Sequence, residues 1–238
     1  MPAFGLVHGA YHGAWCWQRL AAELEGMGHR ALTVDLPCED PSAGAAEYAD
    51  AALAAFASAD ENLTVVGHSL GGLTIPLIAA ARPLRQLVFL EAIIPRPGRT
   101  HDEANRAEPD MILPPPDGAM YSGPGGVTRF RPEAAVRWFF TDCPPDLAAW
   151  AAARLRGQGL KINTEVTPLR TWPPAPCAYV LGTRDMVVNP AWARRAARSL
   201  LGVEPVEIDA GHSPFLSVPS LLARTLVELS EMAAPTPA

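Results

Sequence analysis

Short β-rich runs alternate with longer segments of helical spacing along most of this chain of 238 residues, which narrows the folds open to it. Two strands joined through a helix lie parallel, because the connection has to cross over the sheet. The sequence therefore predicts an α/β fold with a doubly wound, mostly parallel sheet. The predicted strands lie at 3–7, 30–34, 63–67, within 84–92, at 176–182 and at 204–209, and the predicted helices at 14–28, 42–59, 70–82, 189–201 and 217–232.

The alternation is interrupted between residues 93 and 172. This segment begins rich in Pro and Gly (MILPPPDGAMYSGPGG) and continues with two helical patterns, at 132–143 and 145–157. The pattern predicts a helical insertion between two strands, with residues 1–92 and 173–238 forming the core of the domain. The last six residues, AAPTPA, predict a terminal tail.

Composition and charge exclude several classes of function. The net charge is −6 and the 19 basic residues form no cluster, so a nucleic-acid partner is not expected. No apolar run approaches the roughly 20 residues of a membrane span, and the first residues lack the pattern of a signal peptide. The four cysteines show no metal-ligand spacing, which favours reduced thiols and a cytoplasmic location. The strong preference for Arg over Lys is typical of a GC-rich bacterial genome.

The residues that follow each predicted strand are the candidates for chemistry, because ligands of parallel sheets bind at the carboxyl ends of the strands. Ser69 follows the third strand within the motif Gly-His-Ser-Leu-Gly, residues 67–71. Asp185 follows the fifth strand and His212 the sixth. This chain order is typical of a nucleophile elbow, in which glycines let the serine stand exposed on a tight strand-to-helix turn.

The three side chains predict a catalytic triad. A serine hydroxyl is a weak nucleophile until a base removes its proton, and His212 is the candidate base. Asp185 is the candidate for orienting the imidazole and stabilising its cation. The backbone N–H of Leu70 is expected to form half of an oxyanion hole, and the N–H of Ala10, in the loop after the first strand, the other half.

Glu91 is the alternative to Asp185 as the triad acid, because it also ends a strand. Its other interpretations are a buried carboxylate behind the site or a residue of the pocket lining. His8 and His68 flank the oxyanion loop and the nucleophile. Both are predicted to be structural residues with satisfied hydrogen bonds rather than proton carriers.

The other histidines and one glycine-rich segment give less evidence about function. His12 is expected to hydrogen-bond within its own loop, and His29 and His101 are expected at the surface. The segment SGPGGV (122–127) does not open a helix after a strand, so a phosphate-binding loop is not expected there.

Four segments are similar to the signatures of one known family. They are HGAYHGAWCW (8–17), GHSLGG (67–72), GTRD (182–185) and AGHSPF (210–215). On these segments the chain resembles the α/β-hydrolase superfamily over nearly its full length, and most closely the small branch of plant methylesterases and hydroxynitrile lyases. The resemblance implies a six-stranded core, a cap formed by residues 93–172 over the site, and no metal or organic cofactor. It also allows a homodimer.

Two positions separate esterases from lyases within this branch. The similar lyases carry a threonine directly after the histidine of the first motif, where this chain has Gly9, and a lysine next to the catalytic histidine, where it has Ser213. Both departures favour a serine carboxylic-ester hydrolase that works through an acyl-enzyme intermediate. A lyase or natural-product-tailoring enzyme with the same triad, and a ligand receptor without turnover, remain alternatives. Thioester and amide substrates also remain open.

The predicted substrate is a small, mostly apolar or aromatic ester. Most aromatic side chains of the insertion are expected to bury it against the core, while one or two face the serine. The predicted pocket residues are His8, Gly9, His68, Met120, Tyr121 and Trp138.

Overall fold

Eight strands form one large sheet and one small hairpin in the structure, a computed structural model that describes residues 2–233. The strands are Ala3–Val7 (β1), Arg30–Thr33 (β2), Leu63–His68 (β3), Gln86–Leu90 (β4), Met120–Ser122 (β5), Thr128–Phe130 (β6), Cys177–Gly182 (β7) and Val206–Ile208 (β8). The large sheet has the order β2–β1–β3–β4–β7–β8, and every neighbouring pair in it is parallel. The predicted α/β fold with a six-stranded parallel sheet is confirmed. Residues 234–238 of the predicted tail lie outside the described range.

Ten α-helices flank the strands within the described part of the chain. They are Gln18–Gly26 (α1), Ala45–Ala55 (α2), Ile75–Ala81 (α3), His101–Ala107 (α4), Pro132–Val136 (α5), Pro145–Ala152 (α6), Lys161–Thr164 (α7), Pro190–Ala196 (α8), Pro214–Ser217 (α9) and Pro219–Met232 (α10). None of these helices is both long enough and apolar enough to cross a bilayer.

Several predicted helices are divided or shortened in the structure. The helix predicted at 70–82 consists of a 3₁₀ segment at Ser69–Leu73 followed by α3. Pro76 lies in the first turn of α3, where a residue without an N–H is tolerated because that group would lack a helical partner anyway. The helix predicted at 189–201 ends in a single π turn at Ala197–Leu201, which Gly202 closes in the left-handed conformation (φ +68°).

The insertion between β4 and β7 holds more elements than the sequence predicts. Helix α4, the β5–β6 hairpin and helix α7 were not predicted, and the two predicted helices end at Val136 and Ala152. The missed elements are short and contain few consecutive apolar residues, unlike the apolar runs that marked the strands of the large sheet. That this segment acts as a distinct cap stays a prediction.

Each face of the sheet carries its own buried cluster. One cluster includes Tyr48 and Phe56 of the α2 region and Trp192 of α8. The other combines α1 and α10 with aromatic side chains of the insertion, among them Phe139 and Phe140. The insertion is therefore anchored in the hydrophobic core of the second face, and the site at the strand ends lies beneath it.

Candidate active site

Ser69 sits on a sharp turn at the end of β3. Its backbone is left-handed, with φ +50°, a conformation that costs free energy in any residue other than glycine. The glycines around it are required by contacts: a Cβ at Gly67 would lie 2.7 Å from Ile75 Cγ2, and one at Gly71 would lie 2.8 Å from the carbonyl oxygen of His8. The motif thus has the tight geometry that the sequence predicts for an elbow.

The end of β4 packs directly against this elbow. The N–H of Ile93 donates a hydrogen bond to the carbonyl oxygen of Ser69 (3.1 Å). A Cβ at Gly72 would lie only 2.1 Å from the carbonyl oxygen of Ile93. Gly72 therefore lets the two backbones touch, which fixes the elbow relative to the neighbouring strand.

His212 and Asp185 are joined at the ends of β8 and β7. His212 Nδ1 lies 2.9 Å from Asp185 Oδ2, and both side chains are almost fully buried. The other carboxylate oxygen of Asp185 accepts the N–H groups of Val187 (2.7 Å) and Val188 (3.2 Å). With Nδ1 donating to Asp185, the lone pair of His212 lies on Nε2, which has no hydrogen-bond partner among residues 2–233. This is the tautomer that a general base requires.

Two side chains that sequence reasoning did not assign to this role hold the His212 loop. His68 Nε2 donates to the carbonyl oxygen of His212 (2.9 Å), and its ring lies 4.5 Å from the His212 ring. Asp142, from the insertion, accepts the N–H of Gly211 at 2.7 Å. A Cβ at Gly211 would lie 2.7 Å from Asp142 Oδ1. No local pattern marks Asp142, because its partner is 69 residues away along the chain.

The loop after β1 lies against Ser69. A Cβ at Gly9 would lie 2.8 Å from Ser69 Cβ and 3.0 Å from His68 Nδ1. His8 braces this loop: its Nδ1 donates to the carbonyl oxygen of Gly9 (2.8 Å), and its Nε2 accepts the N–H of Leu36 (3.0 Å). The loop that carries Ala10 is thus fixed beside the elbow that carries Leu70, as a two-sided oxyanion hole would need; this assignment stays a prediction.

Three of the buried histidines are held neutral. Burial lowers the pKa of His8 to about 4 and that of His12 to about 3. Burial, with the charges of His212 and His12, keeps the pKa of His68 well below the ordinary 6.5. His12 donates from Nδ1 to the carbonyl oxygen of Ala10 (2.7 Å), within its own loop as expected. His29 is a correction: it is only 8% exposed, with its ring against the edge of Phe4, rather than at the surface.

These histidines predict that the fold loses stability in mild acid. Each takes up a proton on unfolding below about pH 6.5, because its pKa is depressed only in the folded state. Glu91 acts in the opposite direction, since its raised folded pKa means that it loses a proton on unfolding above 4.5. His101, whose pKa burial also lowers, adds to the three histidines, so unfolding takes up protons net and the free energy of unfolding falls as the pH falls below about 6.5. Urea unfolding at about pH 7 and about pH 5 measures this, and equal stabilities would contradict it.

Glu91 lies behind the histidine rather than in the place of Asp185. Its Oε2 is 3.8 Å from His212 Nδ1, beyond hydrogen-bond distance, and 4.0 Å from His68 Nε2. Burial raises the pKa of Glu91 well above its usual value, and the neighbouring carboxylates of Asp185 and Asp142 raise it further. The neutral form of Glu91 is therefore favoured, and Asp185 is the carboxyl that hydrogen-bonds His212.

The same three residues form the one candidate metal group among those the structure describes. His68, Glu91 and His212 bring ligand atoms within 4.8 Å of one another. However, the nitrogens nearest Glu91 are already committed, His68 Nε2 to a backbone carbonyl and His212 Nδ1 to Asp185. The arrangement fits a network of hydrogen bonds and does not fit a metal ion, which would need both lone pairs free.

The aromatic side chains above the site differ from the predicted lining. Phe139 comes nearest, with its ring centroid 6.0 Å from that of His212 and 5.5 Å from that of His12. Trp138 instead stacks on Phe130 (5.2 Å). Met120 is 48% exposed and Tyr121 43% exposed on the outer hairpin. The roles of Trp138, Met120 and Tyr121 in substrate binding stay predictions, while Phe139 is the residue that the sequence did not single out.

The residues of the predicted triad are enclosed in this structure. Ser69 is 8% exposed and His212 is fully buried. A crevice lies elsewhere, beside Ile94, Arg96 and Arg99, and none of Ser69, Asp185 and His212 lines it.

Comparison with known proteins places these observations in a family context. Residues 6–225 match the alpha/beta hydrolase family. A probable esterase from rice (Oryza sativa) is 39% identical over 126 residues, which cover 46% of this chain and 48% of that protein. An alpha-hydroxynitrile lyase from Arabidopsis thaliana is 38% identical over 122 residues, which cover 47% of this chain and 46% of that protein. The chain thus spans about half the length of these curated relatives.

The likeness to solved structures extends over the whole chain. A tomato methylketone synthase I variant superimposes with a TM-score of 0.82 at 22% identity, covering 98% of this chain and 99% of that one. At this identity the likeness concerns the fold, because one fold hosts many reactions. What the site does must be argued from its own residues.

Proposed function

The chain belongs to the alpha/beta hydrolase family, and from this premise we propose that it is a serine hydrolase of carboxylic esters. The observation that carries the proposal is the 2.9 Å contact between His212 Nδ1 and Asp185 at two strand ends beside the elbow of Ser69. This arrangement leaves His212 Nε2 as a base with a fixed orientation. A serine on an elbow, with such a base, is the arrangement for nucleophilic attack on a carbonyl.

The proposed reaction has two halves. Ser69 Oγ attacks the ester carbonyl while His212 Nε2 takes its proton, and the N–H groups of Ala10 and Leu70 stabilise the oxyanion. The imidazolium, held by Asp185, then protonates the departing alcohol, leaving the acyl group on Ser69. In the second half, His212 removes a proton from water, the resulting hydroxide attacks the acyl-enzyme, and the proton returns to Ser69 as the acid leaves.

The surroundings favour a small acyl group with apolar or aromatic character. Phe139 lies over His212, and Phe140 and His12 continue an apolar wall at ring distances of 5.5–6.0 Å. His8, His12 and His68 are neutral because burial lowers their pKa values, so they attract no anionic substrate. A neutral ester of modest size is therefore the proposed substrate class.

A lyase is the second candidate, because one of the relatives is an alpha-hydroxynitrile lyase. Such an enzyme would use Ser69 and His212 for proton transfer without acylation. Gly9 speaks against it: a side chain there would press on Ser69 Cβ, which is 2.8 Å from the position of an added Cβ. Hydrolysis remains the better-supported reaction.

The test is covalent labelling by a fluorophosphonate, in which Ser69 Oγ displaces fluoride from phosphorus. Intact mass is expected to show one adduct on the wild type and none on Ser69→Ala, together with turnover of short p-nitrophenyl esters by the wild type alone. Ser58→Ala, which removes an exposed hydroxyl bonded to Arg30 (2.8 Å), is the matched control and should label fully. An adduct without ester turnover would favour the lyase, and no adduct would overturn the proposal.

A further inference from the structure

One buried carboxyl beside the triad has no function in the reaction described above. Glu91 ends β4 with 1% of its surface exposed, and its carboxyl oxygens make no well-aligned hydrogen bond among residues 2–233. The backbone N–H of Gly182 is near enough only to offset part of the rise in its pKa. Buried polar groups without partners are rare in folded proteins, and each costs free energy. A gain in stability therefore does not explain why a glutamate occupies this position.

The backbone of Glu91 adds a second cost. Its φ is +47°, in the left-handed region that glycine favours and a glutamate adopts only under constraint. Strained backbone of this kind is concentrated at functional sites, where surrounding structure maintains it. Glu91 thus combines a strained backbone with a buried acid that lacks a well-formed hydrogen bond, two independent observations at one residue.

The strained turn delivers the carboxyl to the catalytic histidine. Glu91 Oε2 lies 3.8 Å from His212 Nδ1, the same nitrogen that Asp185 contacts at 2.9 Å. The Glu91 side chain passes directly over Gly182, where an added Cβ would lie 2.2 Å from Glu91 Oε1. Only a residue without a side chain leaves room for the glutamate there. Two carboxyl groups from two adjacent strands therefore converge on one imidazole N–H.

We propose that Glu91 is a second positioning carboxyl for His212, which shares the orientation of its Nδ1–H with Asp185. The inference rests on the proposed function of His212 as the base, and it adds a residue to that machinery. Glu91 touches no substrate in this scheme. It acts only through His212, and its contribution grows when Asp185 is lost.

The charges around Glu91 decide which carboxyl is ionised. The titratable groups that face it come from β3, the insertion, β7 and the loops after β7 and β8. They are His68, Asp142, Tyr179, Asp185 and His212. Burial, Asp185 and Asp142 together hold the pKa of Glu91 well above its usual value, which favours its neutral form beside Asp185. Removal of the Asp185 charge relieves this repulsion, and Glu91 can then ionise and accept the Nδ1–H.

The experiment compares four proteins: the wild type, Asp185→Ala, Glu91→Gln and the double variant. Without a second carboxyl, loss of the triad acid costs about 10⁴-fold in kcat. With Glu91 present, we expect Asp185→Ala to lose only about 10²-fold, and its activity to rise with pH as Glu91 ionises. Adding Glu91→Gln to Asp185→Ala should cost a further factor of about 10² and remove that rise, a coupling typical of groups in one network.

A second measurement does not depend on turnover. Nitrogen-15 NMR of the histidines reports which ring nitrogen of His212 carries the proton, with the signal assigned by its loss in His212→Gln. We expect the Nδ1–H tautomer to persist in Asp185→Ala and to disappear in the double variant. Because Asp185→Ala also removes the bonds to Val187 and Val188, its folding is checked by thermal unfolding beside Asp185→Asn, which can keep both. The NH2 group of that asparagine would donate to His212 Nδ1 and place the proton on Nε2, so Asp185→Asn serves as a control for folding and not for the tautomer.

The outcomes separate this inference from the proposed function. Equal activities, pH profiles and tautomers in Asp185→Ala and the double variant would overturn the role of Glu91 while leaving hydrolysis by the wild type intact. A wild type that turns over no ester would overturn the proposed function, and the tautomer measurement would still decide on Glu91. Glu61→Gln in the Asp185→Ala background is the matched control, since Glu61 is exposed.

Discussion

Replacement of His212 by Gln is expected to lower kcat for ester hydrolysis about 10⁶-fold, as loss of the base does in other triads. The glutamine fills a similar volume but offers no nitrogen that can accept and return a proton. Ser69 then stays a neutral hydroxyl, and the leaving alcohol departs without protonation. Initial rates with a p-nitrophenyl ester measure the loss, and fluorophosphonate labelling should slow by a similar factor.

The control for this substitution is the same change at a histidine outside the site. His101 begins α4, remote in sequence from every triad residue, and His101→Gln is expected to keep the wild-type rate. Retention of activity within about tenfold in His212→Gln would mean that His12 or His68 takes the proton instead. That result would contradict the assignment of the base, because both rings lie within the same buried cluster.

Replacement of Gly72 by Ala is expected to produce the largest loss of stability. The added methyl group would lie 2.1 Å from the carbonyl oxygen of Ile93 and 2.9 Å from Ala92 Cβ. Neither atom can retreat freely, because the N–H of Ile93 is bonded to Ser69 and Ala92 is fully buried. We expect the free energy of unfolding to fall by about 3 kcal/mol or more, at the upper end of overpacking effects.

Thermal and urea unfolding measure this effect against a glycine that has free space around it. Gly26, the last residue of α1, has no atom within 4 Å of an added Cβ and no left-handed backbone. Gly26→Ala is therefore expected to stabilise the protein by about 0.5–1 kcal/mol through helix propensity. A Gly72→Ala variant as stable as the wild type would show that the elbow and β4 are less tightly joined than the contact implies.

The strands and the order of the candidate triad could be predicted from the sequence because their signals are local. Leu63–His68 is a run of buried residues that ends in Gly-His-Ser-Leu-Gly, and its strand and turn coincide with the pattern. Asp185 and His212 follow strands whose β-branched and apolar residues are equally plain. The carboxyl ends of parallel strands lie at one edge of the sheet, and there His212 is hydrogen-bonded to Asp185. The role of Ser69 together with them stays a prediction.

The supporting residues could not be predicted, since their partners are distant in sequence. Asp142 contacts Gly211 across 69 residues, and its acid side chain is ordinary in a loop. Phe139 is one of three adjacent aromatic residues, and periodicity alone does not decide which ring faces His212. The role open to Glu91 depends on a positive φ and on the missing side chain of Gly182, neither of which a pattern of residue types reveals.

The hydrogen bond from Gly211 to Asp142 links the insertion to the loop that carries His212. An outward movement of the insertion that admits a substrate would pull on that bond, beside His212. Under the proposed function, His212 would then take its working position only after the insertion has returned over the bound ester. Water that enters the open site would meet an unaligned histidine. Closure of the insertion would thus set the timing of catalysis, and the open form would not react with water.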